Sequence, residues 1–276
     1  MPHFANRPPM TELPFLLRLL DDQSPVVRER VVARVRALGE AVWDAIEADD
    51  LPLSSDQRER LEDIFSSRDE RSLRAQWARL QAEPDEALYL EKCLLALGRW
   101  QCGETEAARA GDLLDDLAGA FLALEPCPDS VALAAFLFED GGLRGAGAEN
   151  YYNPLNSNLT HVLQSGAGLP ITLACIFILV GARVGLHIEG CNFPGHFLAR
   201  DGRRRTVFDP FNGGRVLSPR EVATLQKAAP AEMSDAATAR DIIGRVLRNL
   251  SVAYHHAGEA EHSGLMLSLL RAQDGD

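Results

Sequence analysis

Apolar residues recur at three- and four-residue steps through most of the first 140 positions of this 276-residue chain. That is the period of amphipathic helices. "LPFLLRLLDDQSPVVRERVVARVRALG" reads as two helices joined at "DDQSP", with Ser24 as the cap and Pro25 at the first helical position, where its missing N–H would have had no partner anyway. "DEALYLEKCLLALGRWQ" and "GDLLDDLAGAFLAL" continue the helical pattern. It breaks at "EDGGLRGAGAENYYNPLNSN", a Gly- and Asn-rich stretch of the kind often functional in compact domains. "NSNLTHVLQSGAG" then predicts a short capped helix, and Pro170 to about Val184 a helix apolar on every side, hence buried. Next come a strand, "LHIEGCNF", and two more, "HFLAR" and "RRRTVF", around Asp201-Gly202. Ser218-Pro219 opens another helix, and 239–272 read as a helical hairpin. The expected fold is α+β: mostly helical, with a small antiparallel sheet of about three to five strands packed on the Pro170 helix. The expected regions are a helical N-terminal part (1–75), a mixed core (76–235) and a C-terminal helical hairpin (236–276).

Composition narrows the functions. The net charge of −12 argues against a nucleic-acid binder, which needs a basic surface, and against an anionic membrane as partner. "RRR" at 203–205 is a local basic patch, read as a solvated strand end. The five cysteines form no CxxC pair and leave one over, so they support neither a zinc site nor a disulfide framework. The N-terminus lacks an apolar signal region, and the longest apolar run, "ITLACIFILVGA", is too short to span a bilayer. These features point to the cytoplasm.

Candidate chemistry centres on His196 and Asp209. Asp201-Gly202 is a two-residue hairpin signal, because a type I′ turn needs the positive φ that these residues tolerate. With that loop, Arg200 faces Arg203 and His196 faces Val207, and Asp209 lies diagonally on the same face. A His196–Asp209 contact is therefore expected. It would fix the imidazole of a catalytic base, or serve as a plain structural hydrogen bond.

"YYNPLNSNLTHVLQSGAGLPITLACIFILVGARVGLHIEGCNFPGHFLAR…VFDPFNGG" closely resembles the transglutaminase-like family of bacterial SirB-type proteins, over about residues 150–218. Many members carry tetratricopeptide-type helices at the C-terminus. Here Asn249-Leu250, Tyr254 and Gly258 resemble one such repeat, with Gly264 where Ala is usual, and the N-terminal helical pair resembles a HEAT-type unit. Neither unit is expected to stand alone, so each should pack on something else. The resemblance implies a Cys–His–Asp triad whose cysteine opens a helix, where the dipole favours the thiolate. His196 and Asp209-Pro210 match the histidine and the aspartate. The nucleophile position falls on Pro170, which has no nucleophile, so the cysteine cannot be carried over.

Substitutes are few. Cys175 lies about 140° around the helix from Pro170 and is expected to be core. Cys191, on the strand before "FPGH", and Thr172, in the first turn of the helix, are the candidate relocated nucleophiles. Asn156, Asn192, Tyr151, Tyr152 and Asn158 are candidate cleft residues by the resemblance. His255, Glu259 and His262 have metal-ligand spacing on a helix, but Gly258 is expected to break it into a solvated turn; no metal or cofactor is expected. Three functions remain open. One is a catalytically degenerate transglutaminase-like protein that binds a protein or peptide. Another is an amide hydrolase or acyltransferase with a relocated nucleophile, or with water activated by His196. The third is an adaptor that works through its terminal helices.

Overall fold

A computed structural model describes residues 12–38, 41–66, 69–193, 196–228 and 236–275. The chain divides after residue 68 into two compact units. The first comprises α1 (Leu13–Leu19), α2 (Pro25–Leu38), α3 (Ala41–Ala48) and α4 (Ser55–Ser66). Asp22 accepts a hydrogen bond from the Ser24 amide at 2.8 Å, turning the chain so that α2 opens at Pro25. Leu13 and Leu17 of α1, Val31 and Val35 of α2, Val42 of α3 and Leu61 of α4 bury a common core. The HEAT-like pair thus covers its apolar face with the next two helices of its own unit.

The second unit begins with α5 (Glu70–Leu80), α6 (Glu86–Cys102), α7 (Glu104–Leu124) and α8 (Ser130–Ala135). β1 (Arg144–Gly145), α9 (Leu159–Ser165), β2 (Ala167–Gly168) and α10 (Pro170–Arg183) follow, then β3 (Ile188–Phe193), β4 (His196–Asp201), β5 (Val207–Asp209) and β6 (Arg215–Val216). The chain continues with α11 (Pro219–Ala228), β7 (Ala236–Ala237), α12 (Ala239–His256) and α13 (Ala260–Asp274). The fold is α+β, mostly helical, with an antiparallel five-stranded sheet in the order β6-β5-β4-β3-β7. No described helix is long and apolar enough to cross a membrane.

α10 explains its own composition. It packs against α6, α7, α12 and one face of the sheet, so nearly every side chain from Ile171 to Gly181 is buried and none needs to be polar. The sheet meets α10 through Ile188, Phe197, Ala199 and Phe208. Alternation sends Cys191, Phe193, Leu198 and Val207 to the opposite face, where Leu217 and the α11 side chains Val222 and Leu225 cover them.

The C-terminal hairpin is built into this unit. Thr238 and Asp241 form a capping box at the start of α12. Its Ile243, Val246, Leu247 and Leu250 are completely buried in the core that also holds α10. The Tyr254 hydroxyl accepts from Gln101 Nε2 on α6 (3.1 Å), and Gln101 Oε1 accepts from Asn158, the N-cap of α9 (3.1 Å).

The β4–β5 register departs from the two-residue loop expected at Asp201-Gly202. Arg200 pairs with Val207, not Arg203, and the loop spans 202–205. The cause is the Asp201 side chain. It is buried and accepts from the Ser130 hydroxyl (2.6 Å) and from the amides of Arg203 (2.8 Å) and Arg204 (2.9 Å). The carboxylate thus organises a wider loop, closed by Arg205 at φ +61. The partner of Arg200 moves by four positions, an even shift, so His196 and Asp209 stay on one face.

Candidate functional site

Three segments meet at one end of the sheet. β2 runs directly into Pro170, the first residue of α10, and pairs in parallel with β1 through Gly145 and Gly168. Gly145 lies under the ring of Phe211: a Cβ there would come within 2.5 Å of the aromatic carbons. Phe211 belongs to the 3₁₀ turn Pro210–Asn212 that follows Asp209 at the end of β5. β4 starts at His196 and runs antiparallel to β5, so His196 lies at the same end. The opening of α10, Asp209 and the start of β4 are therefore neighbours, although alternation directs His196 to the sheet face opposite α10.

His196 is exposed and pairs in register with Phe193. The expected His196–Asp209 hydrogen bond is not formed among the described residues. Asp209 is buried, and it caps the turn after it: Oδ1 accepts from the Asn212 amide (3.2 Å) and Oδ2 from the Asn212 side chain (2.7 Å). Arg215 stands 3.8 Å from Oδ2. The carboxylate meets its acceptor needs locally, through the turn made by "DPFN", and is not left waiting for an imidazole.

Pro170 opens α10 behind Leu169, whose backbone N–H donates to the Asn156 carbonyl (3.2 Å). Thr172 is fully buried, and its hydroxyl donates to the same carbonyl at 2.9 Å. A hydroxyl whose proton is committed to a buried peptide oxygen is a structural pin, so the Thr172 nucleophile is not favoured. Asn156 is itself buried and donates from Nδ2 to the carbonyls of Asn150 (2.6 Å) and Tyr151 (3.2 Å). It holds the long Gly- and Asn-rich segment against the start of α10.

Cys191 lies opposite Leu198 in the small core beneath α11, 2% exposed, and burial pushes its thiol up to about 11. It is not a favoured nucleophile either. Cys175 is fully buried in α10, and burial raises its thiol further still. Asn192 faces the α12 side, where its Oδ1 accepts from Arg245 Nη1. Tyr151 packs edge-on against Phe211 at 6.3 Å and against Tyr152 at 5.4 Å; Tyr152 in turn stacks on His256 at 4.0 Å.

Asn158 serves as a helix cap and buried network residue. The expected solvated turn at His255, Glu259 and His262 is more ordered than that. Gly258 breaks the helix, but His262 bonds Glu259 at 2.6 Å and packs edge-on against Trp100 and Tyr254. No cluster of metal-ligating side chains occurs among the described residues.

Sequence reading missed Arg245, Gly145 and Phe211. Nothing near Gly145 announces that an aromatic ring rests on it.

The sequence pattern of the Transglutaminase-like superfamily matches residues 108–248, slightly over half of the chain. A UPF0162 protein of Xylella fastidiosa strain Temecula1 is 33% identical over 204 residues, 64% of this chain and 69% of that protein. A UPF0162 protein of Pseudomonas aeruginosa is 32% identical over 112 residues, covering 38% of this chain and 42% of its own. F-box only protein 21 of Mus musculus is 29% identical over 112 residues, 37% of this chain and 18% of its own. No solved structure matches the chain. The superfamily match spans the opening of α10, the His196 strand, the Asp209 turn and α12 up to Arg248, so this chain belongs to the transglutaminase-like superfamily and, within it, to the UPF0162 proteins.

Proposed function

We propose that this end of the sheet is a binding cleft for a peptide or protein segment, without covalent catalysis, and that the chain is a SirB-type member of its superfamily. The observation that carries the reading is the chemistry at the opening of α10. Proline stands first, and the hydroxyl of Thr172 is spent on the Asn156 carbonyl at 2.9 Å. Two further facts support it. Cys191 is buried on the α11 side with a raised thiol pKa, and Asp209 holds its own turn and not the imidazole. An imidazole with no carboxylate bonded to it among the described residues makes a poor general base but a serviceable hydrogen-bonding contact. The three-part organisation (1–75, 76–235, 236–276) remains part of this proposal, with both helical ends as further protein-binding surface.

The test is turnover. Purified protein is incubated with casein and a fluorescent primary amine, for acyl transfer, and with a quenched peptide mixture, for hydrolysis. The expected result is no product above the buffer control. Turnover in either assay that disappears in His196→Ala would overturn the reading.

A further inference from the structure

Arg245 of α12 is held at the same end of the sheet as His196, but on the α10 and α12 face and not on the face to which alternation directs His196. Its Nη1 donates to Asn192 Oδ1 and to the Phe193 carbonyl (3.3 Å), both at the end of β3. Its guanidinium carbon lies 5.5 Å above the ring of Phe197, the residue after His196. Among the described residues only this corner of the guanidinium donates hydrogen bonds. Nε and Nη2, which form the opposite edge, make no hydrogen bond among the described residues. Every contact named is to a neutral group.

Arg240, earlier on α12, is also held by neutral groups, Gln81 and the Tyr89 ring, but through both of its Nη atoms. Arg200 is paired with Glu189 at 2.6 Å, and Arg183 is paired with Glu91 at 2.8 Å and Asp115 at 2.6 Å. Burial disfavours the charged form of Arg245, and the like charge of Arg248 opposes it as well. Among the described residues no carboxylate pairs with this half-buried guanidinium, and an unpaired charge of that kind carries a desolvation cost. A planar Nε/Nη2 edge held by carbonyls behind it and a ring beneath it is pre-organised for bidentate contact with a carboxylate.

We infer that Arg245 is the anion-recognition residue of this end of the sheet, on its α12 face, and takes a carboxylate of the bound peptide through its Nε/Nη2 edge. The inference rests on the peptide-binding reading and deepens it. The carboxylate comes from a C-terminus or from an acidic side chain, two sources that one experiment separates.

Three degenerate pentapeptide pools are titrated into the full-length protein: free-acid peptides lacking Asp and Glu, the same peptides as C-terminal amides, and amides containing Asp and Glu. The readouts are the Arg245 Nε–H resonance and the His196 ring resonances. One of the carboxylate-bearing pools should bind about tenfold or more tightly than the neutral amides, the fold-change expected of one charge-assisted bidentate contact, and should move Arg245 Nε–H. A C-terminal source favours the first pool and a side-chain source the third. The preference should vanish in Arg245→Gln and shrink in Arg245→Lys, which keeps the charge but loses the fork. The wild-type Nε–H signal decides the matter even if Arg245→Gln folds poorly. If all three pools move His196 equally and leave Arg245 Nε–H unmoved, the cleft stands and the carboxylate site is refuted. A preference that survives in a folded Arg245→Gln variant refutes it too. If no pool moves either group, both readings fall.

Discussion

Thr172→Val separates the structural role of this hydroxyl from any catalytic one. Valine keeps the shape of the side chain and removes the donor that reaches the Asn156 carbonyl at 2.9 Å. The carbonyl is not orphaned, because the Leu169 amide still donates to it at 3.2 Å. The full penalty for a stranded buried acceptor, about 1–3 kcal/mol, therefore does not apply; the net worth of one hydrogen bond, about 0.5–1.5 kcal/mol, does. For a unit of the size of residues 69–276, about 1 kcal/mol lowers Tm by roughly 2–4 °C. Scanning calorimetry on wild type and variant measures the shift in the transition of that unit. An unchanged or raised Tm would refute the pin and return the hydroxyl to the list of available nucleophiles.

Three further outcomes follow from the geometry. Cys127 is exposed and Cys191 buried with its thiol near 11, so a maleimide at neutral pH should label Cys127 readily and Cys191 only on unfolding, as peptide mass mapping would show; rapid native labelling of Cys191 contradicts its placement. For Glu189 and Asp201, burial raises each carboxyl pKa, but Arg200 for the one and Ser130 with the loop amides for the other outweigh it, so both end below their ordinary values. Their contribution to stability is present above the unfolded carboxylate pKa of about 4 and is lost as pH falls through the lower folded values; urea midpoints should decline on that acid limb, less steeply in Asp201→Asn, and a parallel decline would contradict the assignment. Gly145→Ala places a methyl against Phe211 and should cost about 1–3 kcal/mol by overpacking, with shifted Asp209 and Asn212 resonances; a neutral effect would mean that Phe211 does not rest there.

The parts of the fold governed by local patterning were legible. The capped α9, the all-apolar α10 and the Ser218-Pro219 opening of α11 were each set by spacing and cap chemistry within a few residues. The β4–β5 loop was not, because its length depends on Asp201 meeting Ser130, 71 residues away. The face shared by His196 and Asp209 was still readable, since a period-two pattern is indifferent to an even slip. Their hydrogen bond was not, because Asp209 is bound within its own turn by Asn212. Arg245 was illegible for a different reason. It sits on the flank of the apolar stripe of α12, where a basic residue ordinarily reaches solvent, and only the tertiary fold brings the end of β3 over it.

The central claim is that the His196 end of the sheet binds a peptide and leaves it chemically unchanged. One measurement addresses both halves: peptide pools are added until the His196 ring resonances stop moving, and the peptides are then recovered and weighed by mass spectrometry. The account predicts saturable shifts and recovered masses identical to those added. Cleaved or acyl-transferred peptides, absent when His196→Ala is used, would contradict it.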